Sequence, residues 1–336
     1  MKQFPICALF GCYLLLVLTQ SSGADTKSPK WAATSVEEAG PDFQIQGEYS
    51  GILGEGSSDP LKYGVQVIAL GDAEFQAVGY PGGLPGDGWN QEKKTTTEGK
   101  KSGTVISFKS NEGRGDLENG KMTIFDAEGN KVGVLEKVER KSPTLGKKAP
   151  EGATVLFDSN QATKTVKNFD NGRITEDGLL KEGVTSKQTF KDGHLHLEFQ
   201  LPFMPQARGQ GRSNSGCYVL GRYEVQILDS FGLEGKDNEC GGIYKLGAPS
   251  VNMCLPPLAW QTYDIDFQSA KYDKDGNKTA KARITVKHNG VTVHDDREID
   301  EPTPGGTNKD EATAGPLFLQ DHSNPVRFRN IWVSEK

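Results

Sequence analysis

From residue 42 onward the chain consists of short alternating runs closed by glycine or proline turns, a pattern that points to β-sheet. FQIQGEYSGIL, KYGVQVIALG and AEFQAVGY follow one another in this way. Further on, SKQTFKDGHLHLEFQLPF alternates cleanly. Leu195, Leu197, Phe199 and Leu201 fall on one face, and His194, His196, Glu198 and Gln200 on the other. Asn289-Gly290 between two apolar runs is the strongest hairpin signal, and KMTIFDAEGNKVGVLEKV reads as another hairpin. Ala- and Leu-rich helical runs are scarce, and no repeat or coiled coil is visible. The expected fold class is all-β: a two-sheet antiparallel jelly-roll sandwich preceded by a smaller β-rich domain.

The chain divides by composition. Residues 1–24 read as an export signal: Lys2 starts a basic region, residues 6–18 are apolar, and Ser22-Gly23-Ala24 offers a cleavage site. The apolar run continues past Cys12, which argues against lipidation there. The mature chain is expected to begin near Asp25, in the periplasm or outside the cell, with no membrane span. Residues 25–41 are expected to be a flexible leader and residues 42–138 a small β-domain. Residues 139–152 (ERKSPTLGKKAPEG) read as a linker and residues 153–336 as the sandwich. The formal charge of −6 comes without a basic stripe, so nucleic acid is not an expected partner and a neutral or small polar ligand is. Asn277-Lys278-Thr279 matches a glycosylation sequon, but the chain has a bacterial style and the match is set aside.

Three cysteines lie beyond the signal. Cys217 reads as a small buried residue in an apolar strand. Cys240 and Cys254 flank a Gly- and Pro-containing loop and are either a disulfide or two buried thiols. No CxxC pair favours zinc.

Three polar groups carry candidate chemistry. NSGCYVLGRYEVQILDS places Arg222, Glu224, Gln226 and Asp229 close together, with Tyr223, Val225 and Ile227 on the opposite face. Asp229 is out of phase, and a β-bulge at Ile227-Leu228 would return it to the polar face. Alternate strand residues lie about 7 Å apart, whereas a retaining glycosidase holds its two carboxyls about 5–5.5 Å apart. The acid-x-acid-x-x-acid pattern of sandwich-fold glucanases is departed from at Gln226 and Asp229. His194, His196 and Glu198 form an H-x-H-x-E pattern able to hold a metal, but a half-exposed strand explains it better. Gln320, Asp321, His322, Ser323 and Asn324, with Arg327 and Arg329, make a polar turn between two strands. A His beside an Asp suits acid/base work there, and a turn held by Asx-type hydrogen bonds is the competing explanation. His288 and His294 flank the Asn289-Gly290 hairpin and read as exposed.

Four motifs in order, NSGCYVLGRYEVQILDS, NECGGIYKLGAPSVNMCLPPLAWQTYDIDF, ARITVKHNGVTVHDD and GPLFLQDHSNPVRFRNIWV, resemble the former domain-of-unknown-function family now described as 3-keto-disaccharide hydrolase or 3-keto-glycoside lyase/hydratase, over about residues 154–333. The resemblance implies a concanavalin-like jelly roll and an exported sugar-active enzyme. A ketone at sugar C3 acidifies the C2 hydrogen, a base removes it, the glycosidic oxygen leaves with an acid's help, and water adds back. On that view Glu224 and His322 are the acid/base pair, and Gln226 and Asp229 hold sugar hydroxyls. Arg222, Arg327 and Lys245 stabilise the oxyanion, Tyr244 and Trp260 stack on the ring, and Asp321 and Asn324 assist binding. A divalent ion at the concave face is allowed but not demanded. The substrate would be an oxidised (3-keto) di- or oligosaccharide or glycoside, made by a partner sugar 3-dehydrogenase. A carbohydrate-binding module and an ordinary glycoside hydrolase are the alternatives. Cys217 stands where an aliphatic residue is expected.

Overall fold

The computed structural model describes Ser28 and residues 30–336; the expected export signal lies outside the described residues. Eight strands follow one another as a meander: β1 (Gly47–Leu53), β2 (Leu61–Gly71), β3 (Glu74–Pro81), β4 (Thr95–Ser102), β5 (Val105–Ser110), β6 (Gly113–Glu118), β7 (Lys121–Asp126) and β8 (Lys131–Val138). β1 pairs with β8 as well as β2, so the small domain is a closed barrel. Closure removes the unpaired edges that an open sheet of this size would present. Its interior is filled by alternate residues, among them Tyr49, Val67, Phe75, Phe108 and Leu135.

The second domain continues with β9 (Thr154–Phe157), β10 (Phe169–Asp170), β11 (Leu180–Lys181), β12 (Val184–Phe190), β13 (Gly193–Gln200), β14 (Ser215–Val219) and β15 (Tyr223–Ile227). After a long loop come β16 (Trp260–Gln268), β17 (Lys271–Tyr272), β18 (Lys278–Ala280), β19 (Ala282–His288), β20 (Val291–Ile299), β21 (Gly315–Leu319) and β22 (Arg327–Glu335). One sheet runs β10-β12-β21-β14-β15. The other runs β11-β22-β13-β16-β19-β20, with β9 also on β22. Leu195, Leu197 and Phe199 of β13 share one core with Tyr263 and Ile265 of β16, Val225 and Ile227 of β15, and Leu317 and Leu319 of β21. This is the expected sandwich. Asn289 and Gly290 sit at φ 49° and 81°, the left-handed pair that a tight two-residue hairpin requires.

The two domains pack together. Ile68, Val78, Tyr80 and Leu84, on the outside of the barrel, belong to the core of the sandwich. Gly232 makes the close approach: a Cβ there would lie 2.4 Å from Ile68 Cδ1.

Two segments expected to be loose are fixed. The leader expectation fails from Trp31 onward. Ala33 is fully buried and exchanges backbone hydrogen bonds with Phe203, and short helices span Val36–Ala39 and Pro41–Ile45. Trp31 and Phe43 both pack edge-on against Phe203. Over residues 139–152, Arg140 donates to both carboxylate oxygens of Glu48 at 2.7 and 2.5 Å. Ser142 Oγ lies 2.6 Å from Thr262 Oγ1, Gly146 N donates to Glu198 Oε1 at 2.6 Å, and Lys147 pairs with Asp264 at 2.8 Å.

Glu48 is buried, so removing its partner leaves a carboxylate in a dry site. Arg140→Ala should lower stability by about 3 kcal/mol, read as a lower urea midpoint with the slope unchanged.

Candidate active-site cleft

The polar face of β15 forms the floor of a cleft. Strand parity sends Tyr223, Val225 and Ile227 into the core and Glu224 and Gln226 to the other side. β14 pairs in register, Tyr218 opposite Glu224 and Gly216 opposite Gln226. Gly216 is required by proximity, since a Cβ there would lie 2.3 Å from Glu224 Oε1. The free edge of β15 is finished by the following loop: Gln226 N donates to Gly242 O and Tyr244 N to Glu224 O. Residues 303–305 form another wall. Thr303 Oγ1 accepts from Glu224 N at 2.9 Å, and Pro304 O lies 2.9 Å from the Tyr218 hydroxyl. The turn after β21 brings in Gln320 and His322. The open cleft is lined by Gln210, Asn214, Tyr218, Glu224, Gln226 and Tyr244, with Pro304, Gly305, Gln320 and His322.

Glu224 is the one carboxylate in that lining. It is 2 % exposed, and burial pushes its pKa up to about 7 against the lowering effect of the Tyr218 hydroxyl, which donates to Oε2 at 2.7 Å. Tyr218 is itself pushed up, first by burial and then by the charge of Glu224. Gln320 Nε2 lies 3.4 Å from the Tyr218 oxygen, so hydroxyl, amide and carboxyl form a chain along one side of the cleft.

Four of the residues expected at the site, Glu224, Gln226, Tyr244 and His322, line this cleft together. The others lie elsewhere. No bulge forms at Ile227-Leu228; β15 keeps register to Ile227 and then ends. Asp229 therefore never returns to the polar face. Its carboxylate is buried against Arg212 at 2.6 Å, and Arg212 reaches on to Ala69 O of the barrel. Arg222 is fully buried, donating to Leu220 O and Thr313 O, so it braces the loop before β21 and does not reach the cleft. Lys245 is exposed beside Tyr244. Trp260 and Arg327 belong to the seven-stranded sheet, on the wrong side of the core. Trp260 stacks under Arg329 at 3.9 Å, and Arg327 pairs with Glu182 at 2.9 Å. Asp321 is exposed and accepts from Ser323 N at 2.7 Å, an Asx turn. Asn324 touches the cleft indirectly, accepting from Asn214 N at 2.7 Å.

The H-x-H-x-E face has its groups engaged by protein. His196 Nδ1 lies 3.0 Å from Asp264 Oδ1, and its ring stacks on Trp332. Glu198 accepts from Arg329, Asn330 and Gly146. Burial would raise Glu198, but those donors and His196 outweigh it and hold it down to about 2. This polar face seats residues 142–148. His288 and His294 are buried, not exposed; burial lowers them to about 3 and 4, which keeps both neutral. His288 lies 2.9 Å from Gln261 Oε1 and His294 2.8 Å from Gly241 O. Cys217, Cys240 and Cys254 are buried free thiols, so the Cys240–Cys254 bridge is not formed. Cys240 Sγ instead contacts the Tyr263 hydroxyl at 3.2 Å, and Cys254 Sγ faces Leu228 O. Among the described residues no three His, Cys, Asp or Glu side chains converge as a metal site. The cleft's one carboxylate and one imidazole fall short of the oxygen-rich shell a divalent cation takes.

Sequence reading missed Gln210, Asn214 and Tyr218. Tyr218 was legible by parity, because it alternates with core-facing Cys217 and Val219. Gln210 and Asn214 lie in a loop with no periodic signal.

The second domain is thus a two-sheet β-sandwich with an amide-rich cleft built around one buried carboxylate. The 3-keto-alpha-glucoside-1,2-lyase-like domain matches residues 152–334, and the chain belongs to that family. A Parabacteroides distasonis crystal structure, provisionally designated a glycosyl hydrolase, is 30% identical with a TM-score of 0.50, covering 56% of this chain and 85% of that one. Two others from the same organism with the same designation are 20% and 15% identical, with TM-scores of 0.38 and 0.36. They cover 55% and 51% of this chain and 100% and 85% of theirs. No curated protein matches the chain.

The raised Glu224 pKa has a consequence for stability. Below the ordinary carboxyl value near 4.5 both folded and unfolded states are protonated, and burial costs nothing through ionisation. Between 4.5 and 7 the unfolded state gives up its proton first, so stability falls as pH rises, and above 7 the cost is complete. Glu224→Gln should therefore raise the melting temperature at pH 8 by several degrees and leave it nearly unchanged at pH 4.5, as read by thermal shift.

Proposed function

We propose that this chain cleaves 3-keto-glycosides by elimination and hydration, a net hydrolysis, with Glu224 and His322 as the acid/base pair. The supporting observation is the lone carboxylate in the cleft. Direct displacement at an anomeric carbon uses two carboxyls. Elimination beside a ketone uses one base, one acid and hydrogen donors for the enolate oxygen.

In this reading Glu224 takes the C2 proton, and a carboxyl held near pH 7 is well matched to that task at neutral pH. The electron pair left on C2 passes into the ketone as an enolate, for which the Gln320 amide is the hydrogen-bond donor. Collapse of the enolate expels the glycosidic oxygen, which receives a proton from His322. Water then adds at C1 of the unsaturated sugar as a proton returns to C2. The Tyr218 hydrogen bond fixes the Glu224 carboxyl and keeps part of it ionised. The ketone has to be installed beforehand by an oxidising enzyme of the sugar 3-dehydrogenase class, and export directed by residues 1–24 would place the reaction in the periplasm or outside the cell.

Matched disaccharides, oxidised and unoxidised at C3, separate this chemistry from ordinary glycosidase action. The oxidised sugar should be cleaved and the unoxidised one left intact; comparable cleavage of both would sink the proposal. Glu224→Gln should lower kcat by about 10²–10⁴ while sugar still binds. As a base Glu224 must be deprotonated, so the acid limb of kcat/KM should rise with pH through about 7. Tyr218→Phe removes the group that lowers the Glu224 pKa, so the rising limb should move to higher pH. His322→Ala should slow release of alkoxide leaving groups far more than activated aryl ones.

A further inference from the structure

A second cavity, about 480 Å³, lies where the barrel, the short helices before it, residues 137–145 and the start of β16 meet. That volume is usual for a small-molecule site. β16 belongs to the seven-stranded sheet, so the sandwich core separates this cavity from the cleft. Its walls are mostly apolar. They include Val36, which is 48 % exposed, Phe43, Pro256, Leu258 and Trp260.

Two donors in these walls lack the acceptor they call for. Gln46 is 3 % exposed, lines the cavity, and its Nε2 has no partner. The amide cannot turn over to relieve this. Its Oε1 accepts from Ala69 N at 3.0 Å, so the flipped amide would set N–H against N–H. A buried donor left unmet costs about 1–3 kcal/mol. Lys137 is the second donor. Its stem lies over Gly47, the residue after Gln46: a Cβ there would be 2.8 Å from Lys137 Cε and 3.4 Å from Nζ. The ammonium donates to Gln44 O, which uses one of its three hydrogens. Among the described residues no carboxylate pairs with it. Burial lowers its pKa, and the charge of Glu139 only partly offsets that.

The acids of the wall do not meet these donors. Glu48 is held on both oxygens by Arg140, and Glu139 is exposed. Lys141 adds a further positive charge at the cavity. An anion is therefore favoured there over a cation. Water satisfies an amide but gains nothing from Phe43, Leu258 and Trp260, whereas an acceptor carried on an apolar body uses both.

We propose that this cavity binds a small carboxylate with an apolar body, an aliphatic or aryl-alkyl acid, whose carboxylate oxygens accept from Gln46 Nε2 and Lys137 Nζ. The site uses none of the residues assigned to the sugar reaction and stands apart from that reading.

Calorimetric titration of the full chain with octanoate and with octanol tests it. Octanoate should bind about tenfold tighter than octanol, the worth of a hydrogen bond to a charged group. Lys137→Met keeps the apolar stem. It should erase that advantage and leave octanol affinity unchanged, which also shows that the variant is folded. Gln46→Glu keeps the acceptor for Ala69 N but sets a like charge against the ligand, and should weaken octanoate about tenfold with octanol again unchanged. If Lys137→Met loses both ligands, Gln46→Glu decides by the same comparison. Equal affinity for acid and alcohol, octanoate binding that neither variant weakens, or no binding at millimolar octanoate overturns the site. Competition between octanoate and methyl glucoside would place the acid in the sugar cleft and overturn it as well.

Discussion

The inward face of β15, formed by Tyr223, Val225 and Ile227, holds the cleft in place. Each of these side chains is fully or nearly fully buried in the core between the sheets, and each contributes on the order of 2 kcal/mol of apolar burial. Because successive strand residues point to opposite sides, the same burial fixes Glu224 and Gln226 on the outer face with no rotational freedom of the backbone. Gly216 on the neighbouring strand gives the carboxylate its space, and the loop at 241–244 closes the edge that would otherwise admit water or another chain. The cost of burying the carboxyl is carried by this packing, and the outcome is a group that titrates near neutrality.

The other sheet shows the same parity used for a different purpose. The outward residues of β13 look like metal ligands in the sequence, but they meet Asp264, Trp332, Arg329 and residues 142–148. Satisfying those groups is what fixes the segment between the domains. Arg140 clamps that segment to Glu48 of the barrel, and the outside of the barrel completes the sandwich core around Gly232. The stretch that reads as a linker by composition is therefore a belt between two packed domains, because its polar groups find buried partners that composition does not reveal.

Much of the fold was legible in the sequence. The alternation of β13, β15 and β16 and the Asn289-Gly290 turn specify antiparallel strands with one buried face, and their spacing specifies a sandwich. The parity of β15 already placed Glu224 and Gln226 together. The separate turn at residues 320–324 was legible as polar, and four ordered motifs gave the family. Barrel closure was not legible, because it depends on β1 meeting β8 across nearly the whole small domain.

What only the tertiary structure decided is which polar groups share a cavity. Periodicity tells the face of a strand but not the sheet it joins, so it gives no sign that the core separates Trp260 and Arg327 from the cleft. It likewise gives no account of where a strand ends, so Asp229 was brought back by a bulge when β15 stops and the carboxylate turns to Arg212. Exposure of His288 and His294 was misjudged because residues beside a hairpin are exposed only if nothing packs over them, and the loop between β15 and β16 does. Local alternation is a property of the chain, fixed by the geometry of each strand. Burial, pairing and the neutral-range Glu224 are properties of what the chain folds against.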